Sequence, residues 1–379
     1  MRIEPVTTFS RFVELREDWN RLAGDLPMRS WEWAYSWAET MLAPGHLMIL
    51  VGFDEATESV IGIAPLYRKT DWLRGDVIHF LGDESCCTDY TSLLTSSSHA
   101  NDFVDAVATW LANCSVGYRL DDLESLTDED DCWLGWDLIH LEGVDSQDPV
   151  MRRLMDRMAD SGSTCHARST YGTWRTKLPT EWEDYVCSLS KSQRRNVRMV
   201  ERRVLNADGF TTHIASDQES LAYAMRWLQD LHQKRWTSVG EPGCFADENF
   251  TNFLTAASMR LLERDALRVL WIAKEGQPVA VDLTLLGKSA SYGYQMGIDP
   301  SLRNQEIGRA LMVAAMRTTL EGGRETFDFL RGDEIYKTRW MAIGNPLIEI
   351  EIVPNRSLPQ LRQNLTNFGR TVKSKISRR

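Results

Sequence analysis

Three strand-like runs in a row, then a loop and one helix, occupy residues 267–320 and restrict the fold more than any other stretch. In Leu267 to Ala273, the residues Leu267, Val269, Trp271 and Ala273 alternate with their neighbours. In Ser291 to Ile298, Tyr292, Tyr294, Met296 and Ile298 do the same, the period of a pleated strand. Val279 to Leu286 lies between them as an apolar strand interrupted by Asp282. The helix that follows runs from Ile307 to Leu320 and meets Gly322-Gly323, a fitting C-terminal stop. A chain that places strands before a helix in this way builds a sheet covered by helices.

The rest of the chain repeats the theme. Ile3 to Phe9 reads as a strand, and the helix after Ser10 carries Phe12, Leu15, Trp19 and Leu22 on one face. A helix around Trp31, Trp33 and Trp37 precedes three strands, Leu47 to Phe53, Val60 to Tyr67 and Val77 to Leu81. A helix with Phe103, Val107 and Leu111 comes next, then an acidic connector from Asp121 to Asp131, a strand from Trp136 to Leu141 and a helix opened by Asp148-Pro149. In the second half, Thr211 to Ile214 is a strand, and helices run from about Glu219 to Trp236 and from Asn249 to Arg264. Phe327 to Leu330 and Leu347 to Val353 are further strands. At 379 residues the chain exceeds what one core usually serves. The expected division is therefore an N-terminal α/β unit over residues 1–165 and a second over residues 166–379, each a mixed central sheet flanked by helices.

Charge and cysteine usage narrow the function classes. The net charge of -11 argues against general nucleic-acid binding. The seven cysteines show no C-x-x-C or histidine-cysteine zinc spacing, so they read as reduced thiols and no metal site is expected. No apolar stretch is long enough to span a membrane, and Met1 to Pro5 lacks a secretory start. A cytoplasmic protein is expected. The fourteen tryptophans read mainly as large core anchors, with a ligand-stacking surface as the alternative.

The segment that carries chemistry is Met296-Gly297-Ile298-Asp299-Pro300-Ser301-Leu302-Arg303-Asn304-Gln305-Glu306-Ile307-Gly308-Arg309-Ala310-Leu311. A helix that begins there presents unpaired backbone N–H groups and the positive end of its dipole, which suits a pyrophosphate. Glycine in the first turn lets a phosphate approach those donors. The segment resembles the acyl-coenzyme A loop of the GNAT-type N-acyltransferases, with the pattern Gln/Arg-x-x-Gly-x-Gly/Ala. Two registers fit. Gln305, Gly308 and Ala310 match it literally; alternatively Arg303 leads, Glu306 takes the first glycine and Gly308 the second. The second register agrees with Ile307 and Leu311 but puts a carboxylate where phosphate oxygens should lie.

Further segments form an ordered set: Leu189-Ser190-Lys191-Ser192-Gln193-Arg194-Arg195-Asn196, Asp230-Leu231-His232-Gln233-Lys234-Arg235-Trp236, and Phe327-Asp328-Phe329-Leu330-Arg331-Gly332-Asp333-Glu334-x-Tyr336-Lys337-x-x-Trp340. With Tyr292-x-Tyr294 they resemble the CelD-type, cellulose-biosynthesis branch of the GNAT superfamily, related to the Fem-type peptidyltransferases. The resemblance covers residues 180 to 345 and thins before that. It implies two GNAT-like folds in tandem and an acyltransferase that takes acetyl-CoA or another acyl-CoA. Met296, Ile298, Arg303, Gln305, Ile307, Gly308, Arg309 and Ala310 are the implied cofactor-binding residues. Acyl transfer from a thioester needs a proton acceptor for the attacking group and donors for the oxyanion. The resemblance suggests Asp333 or Glu334 as base and Tyr336 as acid to the leaving thiolate, with Lys337 on an acceptor phosphate or paired with the carboxylates. An ion-pair network of Arg331, Asp333, Glu334 and Lys337 that fixes the turn is the structural alternative. Nothing points to a covalent intermediate, since no Gly-x-Ser-x-Gly elbow occurs.

Four features remain. Asp282 takes either a backbone partner or the role of a base with raised pKa. His232 is a structural histidine or a base. Lys191, Arg194, Arg195 and Arg198 share one helix face, either solvated or an anion site. The tail from Arg370 to Arg379 has five basic residues and no acid; it is a frayed helix end or a weak contact for an anionic membrane surface. The reading as a whole is an acyl-CoA-dependent transferase acting on an amine or hydroxyl of a carbohydrate or cell-envelope precursor. Fem-type transfer from a charged tRNA and a non-catalytic GNAT-fold binding protein are the alternatives.

Overall fold

The computed structural model describes residues 1–83, 86–115, 135–332 and 336–376. The acidic connector, together with Asp333 and Glu334, lies outside the described residues. The chain divides into two units, and the division is interlaced rather than sequential. The first unit comprises residues 1–24, 42–170 and 347–379; the second comprises residues 25–41 and 171–346.

In the first unit, β1 (Arg2–Val6) is followed by α1 (Phe9–Glu14) and α2 (Arg16–Leu22), then β2 (His46–Leu47), β3 (Ile49–Phe53), β4 (Val60–Ala64), β5 (Leu66–Asp71), β6 (Gly75–Phe80) and β7 (Leu94–Thr95). The helix α3 (Trp31–Met41), although early in the chain, belongs to the second unit. The stretch expected as one strand from Val60 to Tyr67 is two, broken at Pro65, which has no N–H to donate. The strand β4 pairs with β3 and β5 pairs with β6. The helix α4 (Ala100–Cys114), the strand β8 (Leu138–Asp145) and α5 (Pro149–Asp160) follow. As expected, Pro149 opens α5, and the Asp148 carboxylate accepts from the N–H of Val150 at 2.9 Å. One face of this sheet packs Ile78, Ile139, Leu141, Ile350 and Ile352 against Phe103, Val107 and Leu111 of α4 and Leu154 and Met158 of α5.

The second unit uses the later residues of β9 (Thr164–Lys177), with α6 (Trp182–Ser188), α7 (Lys191–Val200), β10 (Phe210–Ile214), α8 (Gln218–Thr237), α9 (Glu248–Leu262), β11 (Leu267–Lys274), β12 (Gln277–Leu286), β13 (Ala290–Ile298), α10 (Ile307–Glu321) and β14 (Thr326–Arg331). Its strand order is β10-β11-β12-β13-β14-β9. Leu270, Ile272 and Ala280 pack with Ala310, Leu311 and Ala314 of α10 and Val197 and Val200 of α7. On the other side, Tyr223 of α8 meets Trp271 with ring centroids 6.0 Å apart. Residues 25–41 join this unit because Trp33 packs edge-on against Phe253 and Tyr294, at 4.8 and 5.0 Å between centroids. Fully buried Glu32 is also paired with Arg264 at 2.5 Å. The strand β15 (Ile343–Val353) begins in the second unit, then returns with α11 (Ser357–Ile376) to the first and pairs with β8.

Both units share one topological device. Antiparallel strands lead to a parallel pair joined through a helix: β6–α4–β8 in the first unit and β13–α10–β14 in the second. An antiparallel strand then flanks each pair, β15 beside β8 and β9 beside β14. The tandem expectation from the sequence is thus a tandem of topologies. The division near residue 165 gives way to the interlaced one because α3 and the end of β15 find their apolar partners far along the chain.

Candidate active site

In the second unit, β13 and β14 pair only where they begin: Ala290 with Thr326, Ser291 with Phe327 and Tyr292 with Asp328. Past Tyr292 this ladder stops, while β13 continues against β12 as far as Ile298 opposite Ala280. The β12 ladder is itself irregular there. Leu283 faces Gln295 but Thr284 faces Gly293, so Tyr294 is an extra residue on β13. Among the described residues no strand replaces β14, so β13 from Gly293 to Ile298 is a sheet edge on that side. Met296 and Ile298 lie on this stretch and pack partly against the core under α10.

After β13 the chain makes a 3₁₀ turn, Pro300–Gln305, which holds Arg303 and Gln305 and leads to α10. Asp299 anchors its start, accepting from the Ser301 N–H at 2.8 Å and hydroxyl at 2.7 Å. The cap residue is Glu306, with a left-handed φ of 59°. The N–H groups of Arg309 and Ala310 both donate to the Glu306 carbonyl at 3.0 Å, so those of Ile307 and Gly308 lie ahead of the helical ladder. Ile307 and Ala310 are buried, which leaves only their backbones for a ligand. A Cβ on Gly308 would meet the Ile298 Cδ1 at 2.9 Å, the far end of a flexible side chain. Arg309 pairs with Glu306 at 2.5 Å, so the carboxylate in this loop carries its own counter-charge. Left-handed backbone favours glycine. The register with Arg303 leading and Glu306 at the first glycine position therefore matches the backbone better than the literal one.

The motif after β14 is built around buried charge. The β14 residue Leu330 has φ of 54°, and the Asp328 carboxylate, 2% exposed, accepts from its N–H at 2.8 Å. Arg175 of β9 stands 3.7 Å from the same carboxylate. Lys337, 1% exposed, donates to the carbonyls of Leu330, Arg331 and Gly332 at 3.2, 2.9 and 3.0 Å. An ammonium so engaged fixes the end of β14 and the start of the segment that follows it. Tyr336 is half-buried, edge-on to Phe329 at 6.2 Å between centroids. It precedes the short helix Lys337–Trp340, whose Trp340 carbonyl accepts from the Tyr185 hydroxyl at 2.7 Å.

The remaining candidates sit in the body of the same unit. Asp282 is buried on β12; its carboxylate accepts from the Thr284 hydroxyl at 2.5 Å, and burial pushes its pKa up to about 6. Neighbouring Arg268 donates to the Ala315 carbonyl at 2.8 Å, and burial pulls it down to about 10. The sequence offered Asp282 a backbone partner; the observed acceptor–donor pair is with a side chain. His232 is buried on α8, with Nδ1 3.3 Å from Gln233 Oε1 and Nε2 3.5 Å from the Cys244 thiol, and burial holds its pKa below the usual range. The helix α7 turns Gln193, Val197 and Val200 inward. Of its basic face, Arg198 is paired with Glu183 and Glu201, and the Arg194 guanidinium donates to the Cys187 carbonyl at 3.2 Å, while Lys191 and Arg195 are exposed. The bulge at Tyr294 and the Asp328–Arg175 pair were not anticipated. A glycine inside a strand pattern, Gly293, was the available signal for the bulge; nothing local points to Arg175.

The parallel strand pair joined through a helix, present in each unit and open beside a helix N-terminus in the second, defines a tandem acyltransferase-like fold. Residues 191–338 match the family model described as acetyltransferase (GNAT) domain. Among solved structures, FemX matches with a TM-score of 0.62 at 12% identity, covering 95% of this chain and 99% of that chain. The C-terminal domain of a putative lysylphosphatidylglycerol synthetase from Agrobacterium fabrum matches with a TM-score of 0.53 at 12% identity, over 95% of each chain. A conserved protein of unknown function from Bacteroides thetaiotaomicron VPI-5482 gives 0.54 at 10% identity, over 93% of this chain and 100% of that one. At these identities the likeness is one of fold. No curated protein matches the sequence. Residues 191–338 thus match a GNAT acetyltransferase domain, and the chain as a whole shares its fold with FemX.

Proposed function

We propose that the protein is an acyl-CoA-dependent acyltransferase whose site lies in the second unit. The observation that carries this reading is the parting of β13 from β14 beyond Tyr292, with the N-terminus of α10 at Gly308 following it. An extended chain with amide groups, such as the pantetheine arm, would pair with the open edge of β13 as an added strand does. Its pyrophosphate would then meet the N–H groups of Ile307 and Gly308. Holding thioester and acceptor together supplies much of the acceleration. The neutral acceptor attacks the thioester carbonyl, backbone N–H groups of the open β13 edge stabilise the oxyanion, Asp333 or Glu334 takes the acceptor's proton, and Tyr336 protonates the departing sulfur. Lys337 holds the carbonyls of Leu330, Arg331 and Gly332 at the end of β14. Acetyl-CoA is the simplest cosubstrate, and the acceptor is an amine or hydroxyl of a carbohydrate or cell-envelope precursor, as the CelD-type resemblance implies. A cytoplasmic setting accords with a CoA thioester, with the free cysteines, and with the lack, among the described residues, of a helix long and apolar enough to cross a membrane.

The test is titration calorimetry with CoA and acetyl-CoA. Gly308→Glu places a side chain and a negative charge over the helix start and is expected to abolish binding while the circular dichroism melt is kept. Unchanged affinity removes the loop from the site. Full-length likeness to FemX favours a second reading, transfer from an aminoacyl-tRNA. Binding of charged tRNA with no heat from CoA would select it. A chain that binds neither is a GNAT-fold binding protein.

A further inference from the structure

We propose that His140, Glu142 and Glu349 of the first unit form a site for a divalent first-row cation. The local strand pairing creates the cluster. Glu351 faces His140, Ile350 faces Leu141 and Ile348 faces Val144, so Glu142 and Gly143 together stand opposite Glu349. This is a bulge, and Gly143 takes the left-handed φ of 70° that it needs. Ile139, Leu141, Ile350 and Ile352 enter the apolar core. By alternation His140 and Glu351 point to the other face, and the bulge brings Glu142 and Glu349 beside them.

The His140 Nε2 is 3.6 Å from Glu142 Oε1 and 3.6 Å from Glu349 Oε2. Those separations are too long for hydrogen bonds, and Nε2 is buried with no hydrogen-bond partner in a residue only 7% exposed. An orphaned buried nitrogen of this kind is costly. Two ligand atoms each about 2.1 Å from a common ion, at roughly 120°, are separated by about this distance. The ligand atoms of all three residues lie within 4.8 Å of one another, so a modest side-chain adjustment closes them on one ion. The Glu142 side chain is 39% exposed, which leaves water an approach to complete the coordination. Arg168 reaches the other oxygen of Glu349 at 3.7 Å but lies nearer Glu351, at 3.0 Å. Behind the cluster, the His79 ring is edge-on to His140 at 5.6 Å, and His79 Nδ1 is 2.8 Å from Asp83, whose other oxygen accepts from Tyr67 at 2.8 Å. One imidazole with two carboxylates and no thiolate suits manganese(II) or zinc rather than copper(I). No metal was expected from the sequence because two of the three ligands form only a short His-x-Glu, and the third comes from a distant strand.

Metal-stripped full-length protein titrated with Mn²⁺ and followed by electron paramagnetic resonance tests this, because manganese has little affinity for the cysteines. One ion bound per chain is expected. Glu142→Gln should weaken binding at least about tenfold, and His140→Ala should abolish it. Stoichiometric binding that survives His140→Ala, or a wild-type chain that takes up no ion, overturns the proposal. Should His140→Ala not fold, Glu142→Gln decides, since its partly exposed side chain is dispensable for the core. The CoA titration concerns the second unit, so the two readings fail separately.

Discussion

Tyr336 and Lys337 stand side by side in the sequence and differ sharply in what surrounds them. Lys337 is buried beneath three carbonyl oxygens, and its removal would strand those acceptors at about 1 kcal/mol or more each. Tyr336 is half-buried beside Phe329 and presents a polar tip on an apolar body. As the proposed acid to the leaving thiolate, it would deliver its hydroxyl proton to sulfur. Tyr336→Phe is expected to lower kcat by roughly 10²–10⁴ with CoA affinity kept, as read by steady-state kinetics and calorimetry on one preparation. A variant that melts earlier but turns over normally per folded molecule would make this tyrosine structural.

Elements decide which of these residues meet. The strand β12 carries Asp282 into the core beside Arg268 of β11, because both strands are covered on that face by α10. Burial favours the uncharged acid. The folded state therefore holds this proton up to about pH 6, whereas the unfolded chain releases it near 3.8. Within that window the folded state binds more protons, so this group's contribution to stability falls as pH rises from about 4 to 6 and is level above. Thermal melts across that range should show Asp282→Asn removing the slope, on the order of 1 kcal/mol per pH unit. Identical pH profiles for the two proteins would show that the carboxyl is not held protonated.

At the scale of the whole molecule the two units exchange chain. The second needs residues 25–41, whose Trp33 packs on α9 and β13 and whose buried Glu32 pairs with Arg264, and the first needs residues 347–379, which supply the end of β15. A cut near residue 165 separates each unit from part of its own core. Fragments 1–165 and 166–379 expressed alone are expected to lack a cooperative melt, and their co-expression should restore one. A cooperative melt of either fragment by itself would show that the borrowed segments are dispensable.

Alternation of apolar residues, caps such as Asp148 and stops such as Gly322 are local, and they determined the order of strands and helices and the place of the Gly308 loop. The candidate phosphate loop could be picked out for the same reason, since a helix start and its glycine lie within a few residues of one another. The sequence could not reveal where β13 and β14 part, why Lys337 faces carbonyls, or how His140 comes beside Glu349. Each of these depends on which strands pair and where a bulge falls. Pairing of that kind is decided by burial and register between segments distant in the chain, and a one-residue shift changes which side chains share a face.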